Sequence, residues 1–196
     1  MMKGGSIRVM TLRQQLERYT PANAQEAADR SMMLEALDTL PHPLERENRF
    51  AHFSASGWIV NPSRSKVLMA WHNIYRTWAW TGGHADGESD LLSVALREAR
   101  EETGITDIAP LSRDIFSIEI LPVFPHVRRG AFVSAHLHMN VTYLLEADDA
   151  QPLRVKPDEN SAVAWLEPEC AADNRDEPFM AVVYRKLNAK LKAFQS

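Results

Sequence analysis

Glu98, Glu101 and Glu102 lie at i, i+3 and i+4 in the run from Leu91 to Ile105, so a helix over that run sets three carboxylates side by side. Like charges at such spacings repel, more so when partly buried, and something must offset the repulsion. Arg97, four residues before Glu101, stands where it can pair with it, and a salt-laced solvated face is the ordinary use of such a run. A hard divalent cation is the other solution. Mg²⁺ takes octahedral oxygen ligands, typically one or two carboxylates completed by substrate phosphates. Just upstream runs Gly82-Gly83-His84-Ala85-Asp86-Gly87-Glu88-Ser89-Asp90, read as a Gly-rich loop whose backbone can approach a metal or a phosphate closely. The residues alone leave both readings open: a metal and phosphate site, or a solvated helix face.

The helix that would hold these glutamates is bounded by its own signals. Ser89 or Asp90 can cap its start and Gly104 stands where a glycine closes a helix, which predicts a helix from Asp90 to Thr103. Leu92, Ala95, Leu96, Ala99 and Thr103 share the face that packs on a sheet. The strands are read from short β-type runs: His52 to Val60, Lys66 to Trp71, Thr77 to Trp80, Ile115 to Val123, Phe132 to Leu145 and Ala162 to Leu166. A last helix, Glu177 to Phe194, carries an apolar stripe of Phe179, Val182, Val183, Leu187 and Leu191. Strands interrupted by separated helices predict an α/β fold, a mixed sheet with helices on its faces.

Residues 1–48 read differently, as a short helix from Thr11 to Tyr19 and a second from a Thr20-Pro21 start to about Leu40, ended by Pro41 and Pro43. The apolar set Met32, Met33, Leu37 and Leu40 can pack against the rest of the chain or against a second subunit. Two units are therefore expected, a helical extension over 1–48 and a main domain over 49–196, and truncation before residue 50 should destabilise.

Composition narrows the partners. With 196 residues, 45% hydrophobic and 24% charged, the chain suits an ordinary globular domain and excludes a coiled-coil rod or a long disordered tail. No run approaches the length needed to cross a bilayer and no secretory signal stands at the start, so the chain reads as cytoplasmic with no membrane partner. Cys170 is the sole cysteine, which excludes an intrachain disulfide and a cysteine zinc site. A net charge of −4 argues against nucleic acid and for a small molecule, and an acidic protein holding a polyanion needs a divalent ion to screen the repulsion.

Gly83 to Ile105 resembles the Nudix box: Gly, five residues, Glu, seven residues, then Arg-Glu-aliphatic-x-Glu-Glu-x-Gly-aliphatic. Gly83, Arg97, Glu98, Ala99, Glu101, Glu102, Gly104 and Ile105 fall in register, with Ala99 for the usual aliphatic. The first box glutamate departs from it: position 89 is Ser89, and Glu88 stands one place early. The resemblance, which spans about residue 50 to the C-terminus, implies a Nudix α/β/α sandwich and an enzyme, a pyrophosphatase that hydrolyses a nucleoside diphosphate derivative with Mg²⁺ or Mn²⁺. It further implies Glu98, Glu101 and Glu102 as metal ligands, the backbone of Gly82 or Gly83 completing the site, Arg97 orienting the glutamates, and Glu98 or Glu159 as general base. Many Nudix enzymes are dimers, so a homodimer is a further expectation. A nucleotide-sensing domain without turnover is the alternative, and an isoprenoid-diphosphate isomerase would need a cysteine better placed than Cys170.

Other groups could serve the substrate. His136 and His138 alternate in a strand together with Asn140, with His84 and His126 in nearby loops; substrate contact or a hydrogen-bonded sheet face is favoured over a transition-metal site, since no third ligand follows from spacing. Tyr75, Trp78 and Trp80 offer a stacking platform or core packing, and Arg128-Arg129 a phosphate contact or a surface pair. None of these selects among ADP-ribose, a dinucleoside polyphosphate, a nucleotide sugar, a damaged nucleoside triphosphate or capped RNA, though the acidic charge disfavours RNA.

Overall fold

Ala51–Val60 buries all ten of its residues, as a strand does when both faces of its sheet are covered. The computed structural model describes residues 10–128, 130–173 and 177–194. In chain order the elements are α1 (Leu12–Arg18), α2 (Ala24–Thr39), β1 (Ala51–Val60), β2 (Val67–His72), β3 (Thr77–Ala79), β4 (Thr81–His84), α3 (Leu91–Thr103), β5 (Ile108–Pro110), β6 (Ser117–Val123), β7 (His126–Arg128), β8 (Ala131–Val133), β9 (His136–Ala147), β10 (Asn160–Leu166), α4 (Pro168–Ala172) and α5 (Pro178–Phe194). The sheet is mixed, in the order β10-β2-β1-β9-β5, with β3 on β2, β4 on β1 and β6 on β9. β1 runs parallel to β9, His52 opposite His138, and antiparallel to β4, Ser54 opposite His84. β7 and β8 form a separate ribbon.

Alternation along β1 divides the core. Phe53, Ala55 and Ile59 join a cluster with Leu91, Leu92, Ala95 and Ala99 of α3, while Trp58 and Val60 join Tyr184, Leu187 and Leu191 of α5. Each fully buried side chain of this size stabilises by about 1.5–3 kcal/mol. Among the described residues no helix is long and apolar enough to cross a membrane.

Several sequence expectations need correction. α2 starts at Ala24 under an Asn23 cap, not at Thr20-Pro21, because the Asn23 side chain accepts the Glu26 N–H. The run from Phe132 to Leu145 is broken into β8 and β9. The α5 stripe is rotated: Phe179 and Val182 are 53% and 59% exposed, and Ala181 and Tyr184 take their places in the core. The stretch from Gly82 to His84 is not loop but the strand β4, laddered to β1, and His126 likewise lies in a strand, β7.

The N-terminal helices are part of the core. Leu12, Leu16 and Met33 are buried in the cluster that holds β1 and α3, Leu37 and Leu40 pack against it, and Met32 is exposed. The following segment grips the loop before α3: Gly87 N–H donates to Leu44 O at 3.0 Å and Arg46 forks onto Asp86, Nε to Oδ1 at 2.6 Å.

A buried charge network ties α2 to α5. Glu26 is fully buried and accepts from the Ala22 N–H at 2.7 Å, the Ser117 hydroxyl at 2.9 Å and Lys190 Nζ at 2.8 Å, with Lys186 at 3.2 Å. Burial pushes its carboxyl up, but the Ala22 amide, Lys190, Tyr19 and Lys186 outweigh burial and hold it at about 2, below the ordinary 4.5. Its stabilisation is therefore complete above about pH 4.5 and is lost as pH falls toward 2. Burial holds Lys190 below its ordinary value, against the opposing pull of the Glu26 carboxylate. A shift of this size corresponds to about 3 kcal/mol. Thermal melting across that pH range should show wild type losing stability steeply, while Glu26→Gln is destabilised already at pH 7 and has a flatter acid limb; parallel curves for the two proteins would refute this.

Candidate active site and metal centre

The Gly pair lets β4 pass between β1 and α3 at a distance that no side chain allows. A Cβ on Gly82 would stand 2.5 Å from Ser56 Oγ and 2.7 Å from Ala55 O; one on Gly83 would stand 2.5 Å from Glu98 Cδ and 2.8 Å from its Oε1. Freed of side chains, the strand presents its backbone to α3, and the Gly82 N–H donates to Glu102 Oε1 at 2.9 Å.

α3 is placed by its ends. The Asp90 side chain accepts from the Ser93 hydroxyl at 2.9 Å and caps the first turn, and Gly104 closes the helix with φ 75°. Glu88 Oε1 accepts the Asp90 N–H at 2.9 Å, so this glutamate steadies the helix start. Arg97 does not pair with Glu101; its Nη2 meets Glu98 Oε1 at 3.2 Å. Glu101 instead reaches outward to Lys156 Nζ at 3.2 Å, and the same ammonium meets Glu159 at 3.2 Å. Glu159 sits in the turn that leads into β10, where its carbonyl accepts the Asn73 N–H. Gly82, Gly83, Arg97, Glu98, Glu101, Glu102 and Glu159 are thus gathered at one place, and Lys156, which no sequence motif marks, is a second cation beside Arg97.

The cluster lacks positive charge at its buried end. Glu102 is 7% exposed, and burial pushes its carboxyl up to about 8; the Gly82 amide and Lys156 oppose the rise while Glu159 and Glu98 add to it. Burial raises Glu98 as well, against the pull of Arg97. Lys156 is raised, the carboxylates of Glu159 and Glu101 outweighing its own burial. A donor set made of carboxylates fits a hard divalent ion, which would supply the charge these carboxyls want.

The remaining candidates lie on neighbouring elements. Trp80 packs edge-on against Tyr184 with ring centroids 5.6 Å apart, Trp78 meets Trp71 at 5.5 Å, and Tyr75 lies on His72 at 4.6 Å, so the three aromatics take separate partners. Arg128 ends β7, with its backbone opposite Ala131, and Arg129 lies outside the described residues. His138 sits on the sheet face lined by His52, Ser54, Ser56 and Asn140, where both serine hydroxyls donate to Asn140 Oδ1 at 3.2 and 2.8 Å. Burial, with its neighbouring histidines and Arg46, lowers His138 to about 2. The polar-apolar alternation of His52, Ser54 and Ser56 in β1 was the signal for this face.

A mixed sheet thus lies between two helical sides, with a glutamate-rich helix laid against a Gly-Gly strand. The NUDIX domain model matches residues 51–187. The chain belongs to the NUDIX family, a family of pyrophosphate-bond hydrolases. It is 34% identical over 114 residues to the m7GpppN-mRNA hydrolase NUDT17 of Xenopus laevis, a match covering 55% of this chain and 36% of that protein. The chain thus spans about a third of that relative's length. Among solved structures it is similar to a C. elegans Ap4A hydrolase binary complex (TM-score 0.53, 21% identity, 72% of this chain and 98% of that one) and to a MutT protein from Methanosarcina mazei Go1 (TM-score 0.57, 16% identity, 74% and 97%). At these identities the two structures speak for the fold.

Proposed function

We propose that this chain hydrolyses a phosphoanhydride in a nucleoside diphosphate-linked small molecule, using Mg²⁺ or Mn²⁺ held by Glu98, Glu101 and Glu102 with the backbone of Gly82. The observation that carries this reading is the meeting of β4 and α3, where the Gly82 amide holds Glu102 and Gly83 leaves room for Glu98. When bound, the ion neutralises charge on the phosphate oxygens. Arg97 positions Glu98. Glu98 or Glu159 accepts the proton of the attacking water as its oxygen bonds to phosphorus, and the bridging P–O bond breaks with its electron pair leaving on the departing phosphate. Trp80, Arg128 and His138 are the candidates for holding the rest of the substrate. The names of the relatives, an m7GpppN-mRNA hydrolase and an Ap4A hydrolase, support a nucleotide joined through phosphoanhydrides as the substrate class, and the net charge of −4 favours a small molecule over RNA.

Turnover of a panel of dinucleoside polyphosphates, nucleotide sugars, ADP-ribose and nucleoside triphosphates with Mg²⁺ or Mn²⁺ tests the reading. Hydrolysis that stops with EDTA supports it. Tight binding of one compound with no turnover would replace it with a nucleotide-sensing domain.

Lys156 gives a sharper expectation. Its ammonium bridges Glu101 and Glu159 and so competes with the ion for charge. Lys156→Met should lower the half-saturating Mg²⁺ concentration several-fold, read from turnover against Mg²⁺. An unchanged Mg²⁺ curve with a raised substrate KM would instead make Lys156 a substrate contact.

A further inference from the structure

Four histidines from three strands meet on the face that carries Asn140. His52 of β1, His84 of β4 and His138 of β9 have ring centroids 4.9 to 5.0 Å apart, and His136 lies 5.1 Å from both His52 and His138. Their ligand atoms are closer still: those of His52, His84 and His138 all lie within 4.8 Å of one another, and His136 Nε2 is 3.2 Å from His138 Nε2.

Backbone carbonyls set the tautomers of two of these rings, His52 and His136. His52 Nδ1 lies 2.9 Å from Asn48 O, so the proton sits on Nδ1 and the lone pair on Nε2. His136 Nδ1 lies 2.9 Å from Ser134 O in the same way. A ring whose far nitrogen donates to a carbonyl is held as metal-ligating imidazoles are held. His52 is 2% exposed, and its buried Nε2 has no hydrogen-bond partner in a cluster of imidazoles, an arrangement that costs free energy unless something else takes the lone pair. Arg46, the cation of the adjoining loop, is neutralised by its fork onto Asp86.

We propose that His52, His84 and His138, with His136 as the adjoining fourth imidazole, bind a borderline transition-metal ion such as Zn²⁺, at a site separate from the glutamates. The donor sets are chemically distinct: imidazole nitrogen suits Zn²⁺, Cu²⁺ or Ni²⁺, and carboxylate oxygen suits Mg²⁺ or Mn²⁺. Zn–N bonds of about 2.0–2.1 Å in a tetrahedron set ligand atoms about 3.3 Å apart, so the three rings need to close in by side-chain rotation while the strand ladders stay in place. His84 follows Gly82 by two residues on β4, so one short strand would serve both ions.

The test is a titration of the full chain, stripped by chelation, with Zn²⁺ and with Co²⁺ as its spectroscopic substitute. The expected result is one tight equivalent, the intense visible absorption of a tetrahedral Co²⁺ site, and a melting temperature raised by Zn²⁺ in wild type. His84→Gln and His138→Gln should weaken binding by at least about 100-fold, beyond the loss of a mere supporting group, while Glu101→Gln leaves it intact. Absence of a Zn²⁺-dependent rise in wild-type melting, or binding that survives both histidine variants, would overturn the proposal even if a variant folds poorly. Loss of the site in Glu101→Gln would overturn it too, by placing the ion at the glutamates.

Discussion

Glu102→Gln should lower turnover by at least about 10³-fold while leaving the metal-free protein as stable as wild type or more so. The carboxyl is buried, is held by the Gly82 N–H at 2.9 Å, and is pushed up to about 8. Glutamine keeps its shape and, through Oε1, the bond from Gly82, but brings no charge to a bound ion. Loss of one preorganised charge-stabilising group costs on the order of 10²–10³ in rate, and loss of an ion's buried ligand adds to that. Stability moves the other way. Because the folded value lies above the ordinary 4.5, metal-free wild type is best stabilised below about pH 4.5 and loses this contribution as pH rises toward 8, whereas glutamine has no charge to bury. Turnover, Mn²⁺ affinity and melting at several pH values check the three parts. A variant that hydrolyses normally would remove Glu102 from the machinery, and one that merely unfolds would make it a structural residue.

Gly83→Ala should cost activity without costing the fold, and Gly82→Ala the reverse order of severity. The added Cβ at 83 meets the end of the Glu98 side chain, which can swing away, taking the carboxylate off its position and off Arg97. At 82 it meets Ser56 Oγ at 2.5 Å and the Ala55 carbonyl at 2.7 Å, and the backbone of β1 has nowhere to go. Overpacking of that kind costs about 1–3 kcal/mol or more. We expect turnover by Gly83→Ala to fall about 10²-fold with a melting temperature near wild type, given the sensitivity of catalysis to misplaced groups, and Gly82→Ala to melt distinctly lower. Full activity in Gly83→Ala would show that Glu98 need not sit against β4.

Much of this was legible where the signal is local. Asp90, Gly104 and the apolar face between them place α3 to within one residue, and helix spacing sets Glu98, Glu101 and Glu102 side by side. Local signals fail where the partner is remote. Glycines carry no alternation, so Gly82 and Gly83 read as loop, although their ladder to Ser56 and Ala55 makes them strand. Helix spacing points Arg97 to Glu101, but Glu98, the glutamate beside Gly83, is the one it meets. Glu26 on a polar helix gives no hint of burial, because its counter-charges arrive from α5. The third histidine beside His136 and His138 comes from strands that the register alone brings together.

Under the proposed function Glu98, Glu101 and Glu102 hold the ion that hydrolysis requires. Anomalous scattering from Mn²⁺ in crystals of the full chain grown with a non-hydrolysable dinucleoside polyphosphate tests it directly. A peak bounded by Glu98, Glu101 and Glu102 beside the Gly82 backbone, with Lys156 displaced from Glu101, is the expected result. Crystals of turnover-competent protein in which Lys156 still bridges Glu101 and Glu159 and Mn²⁺ lies elsewhere would contradict it.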